Sequence, residues 1–246
     1  TQWKTMTRHR ILLETRHDNG ASAMAKVSIR TRPSHWVDTE QPVIIPFSIH
    51  SAIYNGEAGR LKIAAFFQFI KAHVKGKATV LFCEKAHLET LALKHDHNLQ
   101  RALEVCRQDA DLLFNRFKSH LTGFDVKHWV DFVDDDKNYL ACKEKVYHLF
   151  KTNDEFRLIV RKDASSTYTT EREREFGDKT TYIDKCGLDF LEHCIYLLIA
   201  SKKGYRYELY PAKRNESLKF ANDHLLNEEE KLVNINVTLN NPKHCN

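Results

Sequence analysis

From Lys26 the chain alternates as Val27-Ser28-Ile29-Arg30-Thr31, the period of a strand with one face in a core. Val43 to Phe47 reads differently. It is a continuous apolar run, followed by Ser48 and Ile49, and such runs belong to strands buried on both faces of a parallel sheet. A loop over 50–59 leads to a helix in which Ile63, Phe66, Phe67, Ile70 and Val74 recur at helical spacing. Lys75-Gly76-Lys77 predicts its end, with cations in the last turn and a C′ glycine. Thr79 to Cys83 is a second buried strand, so this stretch predicts one βαβ unit with a right-handed crossover.

Residues 97–121 predict a long helix whose apolar face runs Leu99, Leu103, Cys106, Ala110, Leu113, Phe117 and Leu121. Residues 126–160 mix short strand and helix signals. Residues 161–181 are almost wholly polar and read as a mobile surface loop. A helix from Leu188 to Leu198 follows, then a turn at Lys202-Lys203-Gly204 and an alternating strand from Tyr205 to Tyr210 that Pro211 stops. The tail beyond Asn222 reads as a short helix or strand plus disorder. Residues 1–24 read as an extension of uncertain order, and residues 25–246 as one domain. The fold class expected is α/β: a single Rossmann-type domain with a mainly parallel sheet flanked by helices.

Composition narrows the function classes. With 42% hydrophobic and 29% charged residues, the chain is long enough to bury a full core and far from a disordered composition. The six cysteines include no CxxC pair, and Cys83, Cys106 and Cys194 fall inside apolar runs, which suits free thiols in a reducing, cytoplasmic setting. No apolar stretch approaches the roughly 18 residues of a membrane span, so no membrane partner is expected. No exposed heptad or long apolar edge demands an oligomer, and a monomer is the expectation. A formal net charge of +5 suits a polyanionic partner without requiring one.

The nucleotide and metal motifs are missing. There is no G-x-G-x-x-G, no P-loop, no H-E-x-x-H and no G-x-S-x-G nucleophile elbow, so neither ATP, NAD nor a metal is expected. In an open parallel sheet ligands bind beyond the carboxyl ends of the strands. Ser48, Glu84 and Tyr210 stand at such ends.

With Ser48 after the first buried strand, a charged helix after the βαβ unit and Tyr210-Pro211 closing a late strand, the sequence resembles the cyclodipeptide synthases over roughly residues 26–222. The Rossmann-type domain of that family looks like the catalytic domain of class I aminoacyl-tRNA synthetases. Ser48 matches the family's nucleophile, and Ser51 with Tyr210-Pro211 suits its Tyr-Pro branch. The resemblance implies aminoacyl-tRNAs as substrates, no ATP, and Arg101, Arg107, Arg116 and Lys118 as tRNA contacts. Ile44, Pro46, Leu81 and Cys83 match positions that line the first aminoacyl pocket.

The family's late helix carries a Tyr and, four residues on, a Glu that hold the aminoacyl ammonium. One register matches these to Leu188 and Glu192, the other to Phe190 and Cys194. Glu192 lies just outside the apolar stripe of its helix, where a carboxylate can face a pocket, so the first register is preferred. The implied reaction is a ping-pong transfer through aminoacyl-Ser48 and dipeptidyl-Ser48, with Glu192 at the ammonium and Tyr210 at the reacting carbonyl. His50 is either a local base or a loop histidine. Two rival classes remain: a synthetase-like RNA-binding module without catalysis, and another Rossmann-type transferase such as a methyltransferase. Which two amino acids are joined is not written in these motifs.

Overall fold

A computed structural model describes residues 7–16, 22–32, 39–49, 56–210 and 214–245. Ser51, His50 and Pro211 lie outside the described residues, and with Pro211 the second half of the Tyr-Pro pair. Among the described residues, eight strands form one sheet. The parallel part comprises β3 (Val43–Phe47), β4 (Ala78–Phe82), β5 (Asp125–His128), β6 (Tyr207–Tyr210) and β7 (Val233–Leu239). Its order is β7-β6-β3-β4-β5. β1 (Thr7–Arg16), β2 (Ser22–Arg32) and β8 (Lys243–Cys245) complete the sheet through antiparallel pairings, with β2 set beside β7.

Strand alternation sends β3 in two directions. Val43, Ile45 and Phe47 pack on the side of α1 (Gly56–His73) and α3 (Leu99–Leu121), with Phe66, Phe67 and Phe117 among their neighbours in that core. Ile44 faces the other side, where α7 (Lys179–Lys202) runs through the second core with Leu191, Cys194 and Ile195. Both faces are covered, which is why the β3 run is apolar without interruption.

Several elements depart from the sequence expectation. Residues 161–181, expected as a loop, belong to the end of α5 (Asp154–Thr167), to α6 (Thr170–Phe176) and to the start of α7. Their polarity reflects narrow buried stripes, such as Phe156, Val160 and Ala164 on α5. Each helix start is held by a side-chain cap: Asn153 accepts from the Phe156 amide, Thr169 from the Arg172 amide and Asp178 from the Thr181 amide. The tail supplies β7, an interior strand whose Ile235 and Val237 are buried.

Gly76 also plays a different part from the C′ role expected. A Cβ there would lie 2.2 Å from the Glu40 carbonyl oxygen, so the residue is small to let two loops touch. Among the described residues no helix is long and apolar enough to cross a membrane.

Candidate active site

The sheet reverses direction of growth at β3: the chain proceeds outward to β4 and β5 on one side, and to β6 and β7 on the other. Such a switch point leaves a crevice beyond the strand ends. Pairing of Ile44 with Glu208 sets the register of β3 and β6. Alternation then puts Pro46, Ser48, Glu208 and Tyr210 on the α7 face, and the β4 pairing adds Cys83.

A cavity of about 190 Å³ opens between that face and α7, well above the ~10–15 Å³ that one water needs. Its lining includes Pro46, Ser48, Cys83, Glu208 and Tyr210 from the sheet, Phe190, His193 and Tyr196 from α7, and Trp129, Arg214 and Leu218 from flanking segments.

Four expected residues therefore meet in one place: Ser48, Tyr210, Pro46 and Cys83. Ile44 and Leu81 lie one alternation deeper, fully buried in the core beneath them. Ser48 is buried at 8% exposure. Burial, helped by Cys83 and Glu208, pushes the Tyr210 phenol up to about 12, so it keeps its proton at neutral pH. The Cys83 thiol is likewise raised by burial and stays protonated.

Helix α7 meets the cavity through an i, i+3, i+6 stripe of Phe190, His193 and Tyr196. This stripe matches neither register expected from sequence. Leu188 faces a separate groove beside α5, and Glu192 turns to α4 (Tyr139–Thr152), where both of its oxygens accept from the Tyr139 hydroxyl at 3.3 Å. Lys143 Nζ stands 4.0 Å from Glu192, whose carboxyl is raised by burial against the pull of Lys143 and Lys85. Phe190 lines the cavity, whereas Cys194 is wholly buried and its thiol points to the Ser217 carbonyl at 3.8 Å.

The residues that sequence reasoning missed are His193, Trp129, Tyr196, Glu208 and Arg214. Burial lowers the His193 imidazole to about 4 and leaves it neutral, while a ring N–H donates to the Ala86 carbonyl. Trp129, Phe190 and His87 surround it at ring-centroid distances of 6.2, 5.8 and 6.1 Å. Glu208 was open to detection: a carboxylate on the core face of a central strand needs partners, and here it accepts from Tyr196 and Asn234.

Beside the cavity, Glu84 at the end of β4 is 2% exposed and accepts from the Trp129 amide at 2.9 Å and pairs with His128, whose pKa that contact raises. It therefore holds Trp129 in place. Asp189 is buried one turn before His193 and accepts from the amides of Glu89 and Thr90 and from the Thr90 hydroxyl, all in the short α2 (Leu88–Ala92). These bonds tie α7 to the segment that carries Ala86 and His87.

Arg101, Arg107, Arg116 and Lys118 are all exposed on α3. At about 100° per residue Arg101, Arg107 and Lys118 fall in the half of the helix opposite its buried row of Ala102, Cys106, Ala110, Leu113 and Phe117, while Arg116 stands on one flank of that row. Arg101 is partly answered by Glu104, whose oxygen lies 3.3 Å away.

The fold recurs in known structures. A CDPS (cyclodipeptide synthase) from Fluoribacter dumoffii superposes with a TM-score of 0.74 at 16% identity, covering 95% of this chain and 99% of its own. A Mycobacterium tuberculosis protein, described as demonstrating that cyclodipeptide synthetases are related to type I tRNA synthetases, gives 0.64 at 10% identity over 87% and 94% of the two chains. The fold is that of these synthases. The cyclodipeptide synthase of Candidatus Glomeribacter gigasporarum, solved bound to Phe-tRNAPhe, gives 0.61 at 14% identity over 79% and 86%. No protein-family model matches the chain, and no curated protein matches it in sequence.

Proposed function

We propose that the chain is a tRNA-dependent cyclodipeptide synthase with Ser48 as its nucleophile. The observation that carries this reading is the meeting of Ser48 and Tyr210 at one cavity, at the switch point of a sheet shared with solved cyclodipeptide synthases. A tRNA ester is already activated, so acyl transfer needs a nucleophile, a donor for the oxyanion and a place for the amine.

Ser48 Oγ attacks the ester carbonyl of the first aminoacyl-tRNA; the tRNA leaves as its free hydroxyl, taking up the serine proton. The amine of the second aminoacyl-tRNA then attacks the acyl-Ser48 carbonyl, which frees Ser48 and gives a dipeptidyl-tRNA. Ser48 attacks that ester and releases the second tRNA. Finally the N-terminal amine attacks the dipeptidyl-Ser48 carbonyl, closing a six-membered ring and restoring the serine.

The protonated Tyr210 hydroxyl supplies a hydrogen bond to the carbonyl oxygen as charge develops there. His193, neutral and lining the cavity, accepts a hydrogen bond from the attacking amine and orients it. We place this role on His193 because Glu192, which the family resemblance favours, would have to leave Tyr139 to reach the cavity. The tRNA backbone lies along the outer face of α3, where Arg107 and Lys118 meet phosphates.

The test is intact-protein mass spectrometry after mixing with charged tRNA, together with product detection. Wild type gains an aminoacyl mass and releases a cyclic dipeptide, and Ser48→Ala does neither. An adduct that survives in Ser48→Ala places the nucleophile elsewhere and sinks the reading.

A further inference from the structure

The cavity lining is mostly apolar, with one polar cluster around Glu208 and Arg214 whose unmet needs are all of one kind. Glu208 lies two residues, about 6.6 Å of strand, below Tyr210 on the same face. Each of its oxygens already has a donor: the Tyr196 hydroxyl at 3.1 Å on one and Asn234 Nδ2 at 3.0 Å on the other. Arg214 Nε sits 3.3 Å from Glu208, an ion pair too far out of line to be a hydrogen bond.

The donors, by contrast, are idle. Among the described residues Arg214 Nε and Nη2 and Trp129 Nε1 are buried with no hydrogen-bond partner. Both side chains line the cavity; that of Arg214 is 10% exposed and Trp129 only 1%. Buried donors left unpaired are rare in folded proteins and point to a missing acceptor.

Resting on the acyl-transfer reading above, we infer that this cavity selects a first aminoacyl group whose side chain ends in an acceptor oxygen, a carboxamide or a carboxylate. Held on Ser48, its side chain extends toward Arg214, Trp129 and Glu208. The idle donors are closed off from the cavity, so the entering side chain turns Arg214 and Trp129 toward itself and gains two fork donors and an indole N–H, the set that receives a planar C=O or carboxylate. A lysyl or arginyl side chain brings only further donors. Leucyl or phenylalanyl side chains leave the existing donors unpaired, and sites built to hydrogen-bond a substrate reject analogues lacking that group by factors reaching ~10⁴. The Arg214–Glu208 pair is neutral as a unit, so a carboxamide joins it without excess charge, whereas a carboxylate shares Arg214 with Glu208.

Acylation of the full chain by single charged tRNAs tests this, read as the rate of the aminoacyl mass shift on Ser48. The panel is Gln-, Asn-, Glu- and Asp-tRNA against Leu- and Phe-tRNA. At least one of the first four is expected to acylate more than tenfold faster than either apolar one, and the amide and acid arms separate carboxamide from carboxylate. Faster acylation by Leu- or Phe-tRNA overturns the inference and leaves the acyl-transfer reading intact. No adduct from any of the six, with one from another charged tRNA, overturns the inference alone, and no adduct from a full set of charged tRNAs overturns both.

A second variant guards against loss of folding. The double change Arg214→Met with Glu208→Met removes both charges together, which spares the fold the cost of an orphaned ion. It is expected to reverse the preference toward Leu-tRNA, and an unchanged preference in the folded double variant also overturns the inference.

Discussion

His193 offers a measurement that needs no substrate. Its imidazole is held at about 4 by burial, against an ordinary value of 6.5, with the Ala86 carbonyl and Glu208 pulling weakly the other way and His87 alongside. The folded protein therefore refuses a proton that the unfolded chain accepts. Stability carried by the neutral ring is present above about pH 6.5 and is lost as pH falls toward 4. Integrating between those two values, the loss from about pH 7 to about pH 5 is roughly 2 kcal/mol.

Urea denaturation of the wild type and of His193→Phe at both pH values isolates that contribution. Phenylalanine keeps the ring packing against Trp129 and Phe190 while removing the titration. His128 runs the opposite way, since Glu84 raises its pKa and its contribution grows on acidification, but it is common to both proteins and cancels. The wild type is expected to lose about 2 kcal/mol more than the variant over this interval. Equal losses in the two proteins would refute the assignment of His193 as a neutral imidazole, and with it the hydrogen-bond-accepting role proposed above. His193→Gln provides a second non-titrating comparison if the phenylalanine packs poorly.

Two further outcomes follow from the placement of charges. Glu192→Gln retains an acceptor for the Tyr139 hydroxyl, so Ser48 acylation and product formation should stay within about threefold of wild type. A single-turnover loss of roughly ten- to a hundredfold, the size of a charge-assisted hydrogen bond, would return the ammonium to Glu192. Replacing Arg101, Arg107, Arg116 and Lys118 together should lower the salt dependence of charged-tRNA binding, by about 0.7–0.9 in the log–log slope for each phosphate no longer neutralised. An unchanged slope in filter binding or fluorescence titration removes α3 from the tRNA face.

What the sequence discloses about this fold divides along physical lines. β3, β4 and α1 were legible because their burial is written in contiguous or periodic apolar residues, and Ser48 and Tyr210 because strand ends at a switch point are where ligands gather. α6 and the ends of α5 and α7 were hidden for the opposite reason. They bury thin stripes, and their starts depend on single caps at Asn153, Thr169 and Asp178 rather than on apolar periodicity. The strand β1 was hidden because its register comes from β2, a long-range pairing that no local pattern encodes.

The face that α7 turns to the cavity was the least accessible to sequence reasoning, and the reason bears on chemistry. Thirteen of its residues from Tyr182 to Ser201 are buried, on several sides at once, so hydrophobic periodicity cannot say which stripe meets the sheet. What fixes the rotation is polar: Asp189 accepting from Glu89 and Thr90 on one flank, and Glu192 bonded to Tyr139 on another. Between those two anchors the helix has one orientation, which points Phe190, His193 and Tyr196 at the strand ends. A buried carboxylate one helical turn before a neutral histidine thus sets the geometry without entering the cavity itself, and Glu192 contributes to the site by where it holds the helix.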